Sequence, residues 1–399
     1  MLCSQIQLAV GTSSFATIRS EAAKLAFIDA CRGLAILLVI MVHAALSVWP
    51  AASSATETSQ AQLTIRFGQM GVQLFFVVSA FTLCNSWSKR RERERERERE
   101  AIRDFYIRRV FRIAPLYWIA IAIYSTAALA RHTWGRGPNP DIDAIAANFF
   151  LVHGFLAKAT NTVVPGGWSI ATECTFYAIF PFAAELIYRH RCTVLSRLVM
   201  FAAAVICCQS VLYWIRSVGG NTTNNSYWYF SLLSQGPVFI LGAMLYSGWK
   251  DRQMRVTVLS IPFALCRIAA WFALALWVFS ISDPLAACLA PTIAAIAFCE
   301  LTMLMSETPS LSPLWLRKIG QLSYSIYVFH WIPAVIVGSI VAPILSEALG
   351  LPVTFVVIFV FTVLVSMVVA RFSQRYVESP MIGLGNQLVK YLRSPDGRS

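Results

Sequence analysis

The sequence predicts an all-α fold, a polytopic transmembrane helix bundle of about ten spans, and two observations lead to this prediction. Of the 399 residues, 57% are hydrophobic and only 13% are charged, whereas a soluble protein typically has about 25% charged residues. The hydrophobic residues also fall into blocks of about 20, which is the length that crosses a bilayer as a helix. One membrane domain, predicted over residues 25–385, accounts for nearly the whole chain.

Ten blocks are long and apolar enough to be predicted as spans. They lie near residues 30–50, 67–87, 111–130, 168–188, 195–215, 228–248, 257–280, 284–305, 320–343 and 351–371. An eleventh block at 144–156 is too short to span comfortably. We therefore predict a re-entrant or interfacial segment there, and eleven spans only if this block crosses after all.

The basic residues cluster in loops between the apolar blocks, and this asymmetry predicts the orientation of the chain. Cytoplasmic loops carry an excess of Lys and Arg, and residues 88–112 contain ten Arg and one Lys. With ten spans, further basic clusters fall on the same side, at 188–197, 250–255 and 316–318. Both termini are then cytoplasmic, with tails predicted over 1–24 and 386–399, and residues 50–66 and 221–226 face outside. We expect a multi-pass protein of the cell (inner or plasma) membrane, with the lipid bilayer as a partner.

Composition argues against two other kinds of site. The net charge is +13, but the basic residues lie in the loops, so the charge reflects membrane topology and predicts no nucleic-acid partner. The cysteines lie mostly inside apolar blocks, and no Cys-x-x-Cys pair occurs. The sequence therefore predicts neither a metal site nor a disulfide framework.

A low-complexity loop, predicted over residues 88–104, contains the run RRERERERERE at 90–100. In a helix, Arg and Glu three residues apart attract each other, while like charges four residues apart repel. The run has no apolar face. We interpret it as a solvated extension of the second or third helix, or as disorder, with no catalytic role.

Two ionisable residues, Arg32 and His43, interrupt the first apolar block. On a helix their side chains point in the same direction to within about 20° and lie about 16 Å apart along the axis. Charged groups are costly inside a bilayer, so two on one stripe suggest a shared polar cavity. A neutral imidazole in such a site can act as a general base. Alternatively, Arg32 anchors the topology at the interface and His43 is merely hydrogen-bonded to a neighbour.

Three arginines precede Pro115 at the predicted cytoplasmic start of the third span. Arg109 and Arg112 are three residues apart and share a helix face, and Arg108 is their neighbour. Guanidinium groups bind phosphate oxygens bidentately, so the group is a candidate phosphate site. The alternative is that these arginines only mark the cytoplasmic flank of the span.

Two further apolar helices carry polar stripes. After a Pro-Gly-Gly break, the polar residues Ser169, Glu173 and Tyr177 are spaced by four, and an intramembrane glutamate is by default a candidate for function. In the second helix, Ser323 and Tyr327 share a face with a histidine at 330. Structural hydrogen bonds between spans are the alternative explanation for both stripes.

In this order, these segments resemble those of acyltransferase family 3, membrane-bound enzymes that acylate O-antigen, exopolysaccharides, nodulation factors and macrolides. The segments are DACRGLAILLVIMVH, GVQLFFVVSAF, RRVFRIAPLYW, GGWSIATECTFYAIFP, LSYSIYVFH and YVESP. The motif residues of the family fall here on Arg32, His43, Arg109, Arg112, Trp168, Ser169 and Glu173. The chain departs from the family at Ala80, where glycine is usual, and in its Arg-Glu run.

The resemblance implies an O-acyltransferase that moves an acyl group, expected to be acetyl, from acyl-CoA to a hydroxyl of a carbohydrate or glycolipid, without a metal. It implies His43, Arg32 and Glu173 as catalytic residues. The implied donor-binding residues are Arg109, Arg112 and Arg108. The polar network of the cavity would comprise Trp168, Ser169, Tyr177, Ser323, Tyr327 and His330.

Several alternatives stay open at the level of sequence. His43 would act either as the base in a direct transfer or as a transient acyl carrier. The acceptor could instead be a small lipophilic molecule such as a macrolide. A protein of another class, a transporter or proton channel, could use the same intramembrane His, Glu and Arg, although no convincing internal repeat is present. The oligomeric state is not predicted.

Overall fold

Helices account for all regular secondary structure in the part of the chain that the computed structural model describes. The described ranges are 25–49, 67–93, 98–189, 193–223, 225–250, 261–281 and 283–394. No β-strand occurs within them, which confirms the all-α fold class. Several predicted features lie wholly or partly outside these ranges: the tail 1–24, the loop 50–66, the basic clusters 188–197 and 250–255, the segment 221–226 and the end of the tail 386–399. The cytoplasmic location of both termini stays a prediction.

Fourteen α-helices of seven or more residues occur in the described ranges. They are α1 (Ala26–Val48), α2 (Gly71–Arg93), α3 (Glu98–Thr133), α4 (Ile142–Phe149), α5 (Gly167–Arg189), α6 (Val194–Ser217), α7 (Leu232–Lys250), α8 (Ile261–Ser280), α9 (Pro284–Glu307), α10 (Leu314–Gln321), α11 (Ser323–Phe329), α12 (Gly338–Leu349), α13 (Leu351–Ser373) and α14 (Ser379–Arg393). Shorter turns are a one-turn α-helix at Tyr227–Phe230, 3₁₀ turns at Gly68–Met70, His153–Phe155 and Pro309–Leu311, and π-helical turns at Ile332–Val337 and Gln374–Glu378.

Among the described residues, nine helical segments are long and apolar enough to cross a membrane. They are Ala26–Val48, Gly68–Arg90, Glu100–Thr133, Val194–Ser217, Tyr227–Lys250, Ile261–Ser280, Pro284–Glu307, Ile332–Leu349 and Leu351–Arg393. The block predicted at 168–188 forms α5 but is not among the nine. One face of α5 carries Ser169, Glu173 and Tyr177, and polar residues of this kind lower the hydropathy of the helix.

The short block at 144–156 folds as two short helical pieces. The helix α4 has eight residues and is followed by the 3₁₀ turn at 153–155. The side chain of Asp141 caps α4 by accepting from the backbone amides of Asp143 and Ala144. Eight helical residues rise only about 12 Å, so this segment is too short to cross the hydrocarbon core.

Two glycines bring the backbones of α1 and α10 into direct contact. A methyl group added at Gly320 would lie 1.7 Å from the carbonyl oxygen of Asp29, and one added at Gly33 would lie 2.2 Å from that of Leu316. No side chain fits between the two helices at these points. The contact therefore fixes the end of α10, and the start of α11 after it, beside Arg32.

The Arg-Glu run joins α2 and α3. The helix α2 continues to Arg93 and α3 begins at Glu98, so both helices extend into the run, while residues 94–97 lie outside the described ranges. Beyond the run, the buried carboxylate of Asp104 accepts from Arg393 at 2.6 Å and from Arg103 at 3.1 Å. The last described helix, α14, is thereby attached to the start of α3.

Candidate functional site

A cavity inside the bundle collects most of the polar residues that the sequence predicts to be functional. We call it the arginine cavity. It has a volume of about 90 Å³ and is lined from α1, α2, α3, α5 and α11. Of the predicted site residues, its lining includes Arg32, Arg109, Arg112, Ser169, Glu173, Tyr177, Ser323 and Tyr327. The predicted faces of α3 and α5 thus point into the same space.

Glu173 provides the carboxylate of the arginine cavity. One of its oxygens, Oε1, accepts from the hydroxyl of Ser79 on α2 and from the hydroxyl of Tyr177, one turn further along α5. The two hydroxyls lie 3.4 Å from each other. Polar partners of this kind make a carboxylate tolerable inside a helix bundle and fix its orientation.

Arg32 enters the cavity from α1. Its guanidinium lies 3.4 Å from the carboxylate of Asp29, one turn earlier. Asp29 also accepts from the amide of Gln321 at 3.1 Å, at the end of α10. The pair with Asp29 is long for a charge-assisted hydrogen bond, so Arg32 keeps donors for a further anion.

Arg109 and Arg112 enter the cavity from α3. The guanidinium of Arg109 packs against two aromatic rings, with its central carbon 5.4 Å from the ring centroid of Tyr177 and 5.7 Å from that of Phe105. These are cation–π distances. Its Nε atom is buried and has no hydrogen-bond partner. Arg112 is exposed where it meets the cavity, so Arg109 presents a fixed, incompletely satisfied cation and Arg112 an accessible one.

Ser169 and Tyr327 close another side of the cavity. The Ser169 hydroxyl lies 2.7 Å from the Tyr327 hydroxyl, and the Tyr327 hydroxyl donates to the carbonyl of Gly166 at 3.0 Å. Gly166 has a φ of +75°, in the left-handed region that favours glycine. A side chain at this position would also meet the ring of Tyr327. The Pro-Gly-Gly break therefore places the start of α5 against α11.

His43 and His330 form a pair next to the cavity and are not part of its lining. The Nδ1 atom of His43 lies 2.9 Å from the carbonyl of Val39 and 3.0 Å from Nε2 of His330. The Nδ1 atom of His330 lies 2.7 Å from the carbonyl of Tyr327. The rings of His330 and Tyr327 are 5.6 Å apart, which connects the pair to the wall of the cavity.

The carbonyl contacts assign the tautomers of a neutral His43–His330 pair. A carbonyl oxygen can only accept, so Nδ1 of each ring carries the proton. The single Nδ1 proton of His43 is then shared between the carbonyl of Val39 and the lone pair on Nε2 of His330. It follows that Nε2 of His43 carries a lone pair and is the basic atom of the ring.

Two of the predicted site residues lie elsewhere. Arg108 is adjacent to Arg109 in sequence, yet its Nε donates to the side chain of Asn386 on α14 at 3.3 Å. The ring of Trp168 stacks on that of Phe230 with centroids 4.4 Å apart, outside the cavity lining. Ser79 also belongs to the site, and its only signal in the sequence is its position as a polar residue in an apolar block.

His153 attaches the loop before α5 to α3. It lies outside the spans, is buried, and stacks on the ring of Tyr117 with centroids 5.4 Å apart. Its Nε2 atom is 3.1 Å from the Tyr117 hydroxyl and 3.2 Å from the carbonyl of Gly167. Burial lowers the pKa of His153 to about 4, so the ring is neutral at physiological pH and serves a structural role.

Metal ligands are not clustered in the described part of the chain. No three His, Cys, Asp or Glu side chains there lie close enough together to hold a metal ion. No disulfide joins the cysteines of this part of the chain, which occur both buried, as at Cys31, and exposed, as at Cys207. The polar groups of the site are therefore guanidinium, carboxylate, hydroxyl and imidazole groups.

Comparison with known proteins identifies the same region as one domain. A family model described as an acyltransferase domain matches residues 25–371. BcsY of Komagataeibacter xylinus, whose name describes a membrane-bound transacylase, is 25% identical over 327 residues, which are 78% of this chain and 73% of BcsY. The exopolysaccharide production protein ExoZ of Rhizobium meliloti is 31% identical over 145 residues, which are 35% of this chain and 41% of ExoZ.

No solved structure matches the chain. The family match covers far more than half of the sequence and contains every residue of the arginine cavity. The chain is a multi-pass membrane enzyme and belongs to acyltransferase family 3.

Proposed function

We propose that the protein transfers an acyl group, most simply acetyl, from acyl-CoA to a hydroxyl of a carbohydrate or glycolipid. The observation that carries this proposal is the convergence of Arg32, Arg109 and Arg112 on one small cavity that also holds Glu173. Three guanidinium groups beside a single carboxylate leave an excess of positive charge. Such an excess suits the phosphates of a CoA thioester.

The volume of the arginine cavity limits the size of the acyl group that it can hold. At about 90 Å³, the cavity has room for a small acyl group but not for the nucleotide of CoA. In the proposed complex, the phosphates lie against the exposed Arg112 and against Arg109, and the thioester points inward. Glu173 balances part of the positive charge and holds the hydroxyls of Ser79 and Tyr177.

His43 is the proposed base, acting through Nε2. The acceptor hydroxyl oxygen attacks the thioester carbonyl carbon while Nε2 takes the hydroxyl proton. The carbon–sulfur bond then breaks, and CoA leaves as a thiolate that recovers the proton from the imidazolium. In the alternative order, Nε2 attacks the carbonyl carbon first, the carbon–sulfur bond breaks and CoA leaves as a thiolate, so that the ring holds the acyl group as an acyl-imidazole. The acceptor hydroxyl then attacks the same carbon, the carbon–nitrogen bond breaks, and the hydroxyl proton ends on the CoA thiolate.

The name of one relative supports the proposed class of acceptor. ExoZ is named for exopolysaccharide production. This favours a carbohydrate or glycolipid acceptor over a small lipophilic one such as a macrolide. Acetyl-CoA as donor and His43 as base rest on the charges, the cavity volume and the tautomers described above.

Labelled donor tests the proposal. The full-length protein in nanodiscs would be incubated with acetyl-CoA labelled in the acetyl group and with an exopolysaccharide acceptor. We expect label on the glycan and release of an equal amount of CoA thiol. His43→Ala should bind acetyl-CoA but transfer no label. If wild-type protein neither binds acetyl-CoA nor releases thiol, the proposed donor is wrong.

A further inference from the structure

A second cavity lies at the other end of α3, and we call it the loop cavity. It is formed by the last turns of α3, by residues 137–141, by the first residues of α4 and by residues 158–163. Its volume is about 510 Å³, more than five times that of the arginine cavity. The charges of residues 88–112 predict that this end faces the outside of the cell.

The lining of the loop cavity is mostly apolar but carries two exposed cations. Arg131 lines the cavity from α3, and Lys158 lines it from the loop before α5. Asp141 is its acidic residue, but the carboxylate already accepts from two amides as the cap of α4. The cations therefore outnumber the acid and are better placed to meet a ligand.

The wall also contains a polar atom without a partner. The hydroxyl of Ser125 is buried and makes no hydrogen bond, although the residue lines the cavity. Asn139 adds an amide to the same lining. Hydroxyl, amide and cation together match a hydroxyl-rich, negatively charged ligand.

The loop cavity is connected to the histidine pair by one hydrogen bond and a short piece of α11. Tyr124 lines the loop cavity, and its hydroxyl donates to the carbonyl of Val328 at 3.2 Å. Val328 follows Tyr327, which lines the arginine cavity, and lies two residues before His330. The helix α11 thus contacts a residue of the loop cavity and lines the arginine cavity, and His330 directly after it contacts His43.

We propose that the loop cavity binds the acceptor as a glycan that carries carboxylates, and that Arg131 and Lys158 recognise those carboxylates. This inference rests on the proposed function, because it supplies the acceptor for that reaction. A sugar chain entering here would approach His43 from the end opposite to the arginines. The larger volume suits sugar rings, whereas the smaller arginine cavity suits the acyl group.

A matched pair of glycans tests this site. The probes are a tetrasaccharide of galacturonic acid and the same tetrasaccharide with its carboxylates methyl-esterified. Binding to the full-length protein in nanodiscs would be measured for wild type, for Arg131→Gln with Lys158→Gln, and for Arg136→Gln. Arg136 is an exposed arginine near Arg131 that does not line the cavity, so it controls for loss of surface charge alone.

We expect wild type and Arg136→Gln to bind the acid at least about tenfold more tightly than the ester, and the double variant to lose this preference. Equal binding of acid and ester by wild type, or a preference that survives in the double variant, would overturn the inference. Thermal melting checks that the double variant is folded. Acetyl-CoA binding to wild type is measured in parallel. If wild type prefers the acid over the ester but does not bind acetyl-CoA, the proposed donor is wrong and the glycan site is still supported.

Discussion

Replacing Arg109 with lysine separates the two explanations for the arginines of α3. A residue that only marks the cytoplasmic flank needs a positive charge, and lysine supplies it. A residue that binds the donor needs the guanidinium. In the structure, that group packs against the rings of Phe105 and Tyr177 and keeps a buried Nε atom without a partner. Lysine has neither a planar group for the rings nor an Nε donor.

The expected loss follows from these contacts. If the donor phosphate accepts from the Arg109 guanidinium where it lines the cavity, the lysine variant loses one hydrogen bond to a charged group, which is worth about 1–3 kcal/mol. That corresponds to a rise of about 5- to 150-fold in the dissociation constant of acetyl-CoA. Insertion and topology should not change, because the charge is retained.

Arg108→Lys is the matched control, because Arg108 is adjacent in sequence but its side chain reaches Asn386 on α14. Isothermal titration of acetyl-CoA into purified protein in nanodiscs would give the dissociation constants of both variants. The control should stay within about twofold of wild type, since it loses no contact in the cavity. If Arg109→Lys binds acetyl-CoA as tightly as wild type does, the guanidinium argument is refuted.

Three further predictions concern the rest of the molecule. His330→Leu removes one of the two acceptors for Nδ1 of His43, leaving only the carbonyl of Val39, and should lower kcat by up to about 100-fold with acetyl-CoA affinity unchanged; the pH–rate profile should shift, and His330→Gln should restore part of the rate. Asp104→Ala removes the buried carboxylate that Arg393 and Arg103 share and should lower the free energy of unfolding by about 1–3 kcal/mol in a denaturant titration; unchanged stability would show that this contact does not attach α14. Deletion of residues 91–100 should leave activity within about twofold, because that run has no apolar face and its charges largely cancel; complete loss of activity in a stably inserted protein would contradict this interpretation.

Helical periodicity accounts for the parts of the site that the sequence predicted. Ser169, Glu173 and Tyr177 are spaced by four and all line the arginine cavity, as do Arg109 and Arg112, which are three apart. Residues at these spacings lie on one face of any α-helix, whatever the helix packs against. The sequence alone therefore predicts which polar residues share a helix face.

Contacts between helices were beyond this kind of prediction. Ser79 and Glu173 are 94 residues apart, and His43 and His330 are 287 apart, so only tertiary packing determines that they meet. Arg108 shows that tertiary packing also decides the contacts of neighbouring residues within one helix. Successive residues differ by about 100° in direction, and the neighbour of a cavity residue therefore points to a different partner.

Helical periodicity did not predict which residues of α1 line the arginine cavity, nor the shape of the loop cavity. Arg32 and His43 share a face as predicted, but only Arg32 lines the arginine cavity, because α11 crosses near the level of His43. The loop cavity depends on the irregular segment between α3 and α5. Irregular segments carry no repeat from which their shape can be predicted.

Photocrosslinking of the donor tests most directly the claim that the arginine cavity holds acyl-CoA. A CoA thioester with a diazirine in its acyl group would be bound to the full-length protein and illuminated, and the labelled peptides identified by mass spectrometry. We predict label on peptides from α1, α3 and α5 that line the arginine cavity, abolished by excess acetyl-CoA. Label confined to residues of the loop cavity, or label that acetyl-CoA does not displace, would contradict the account.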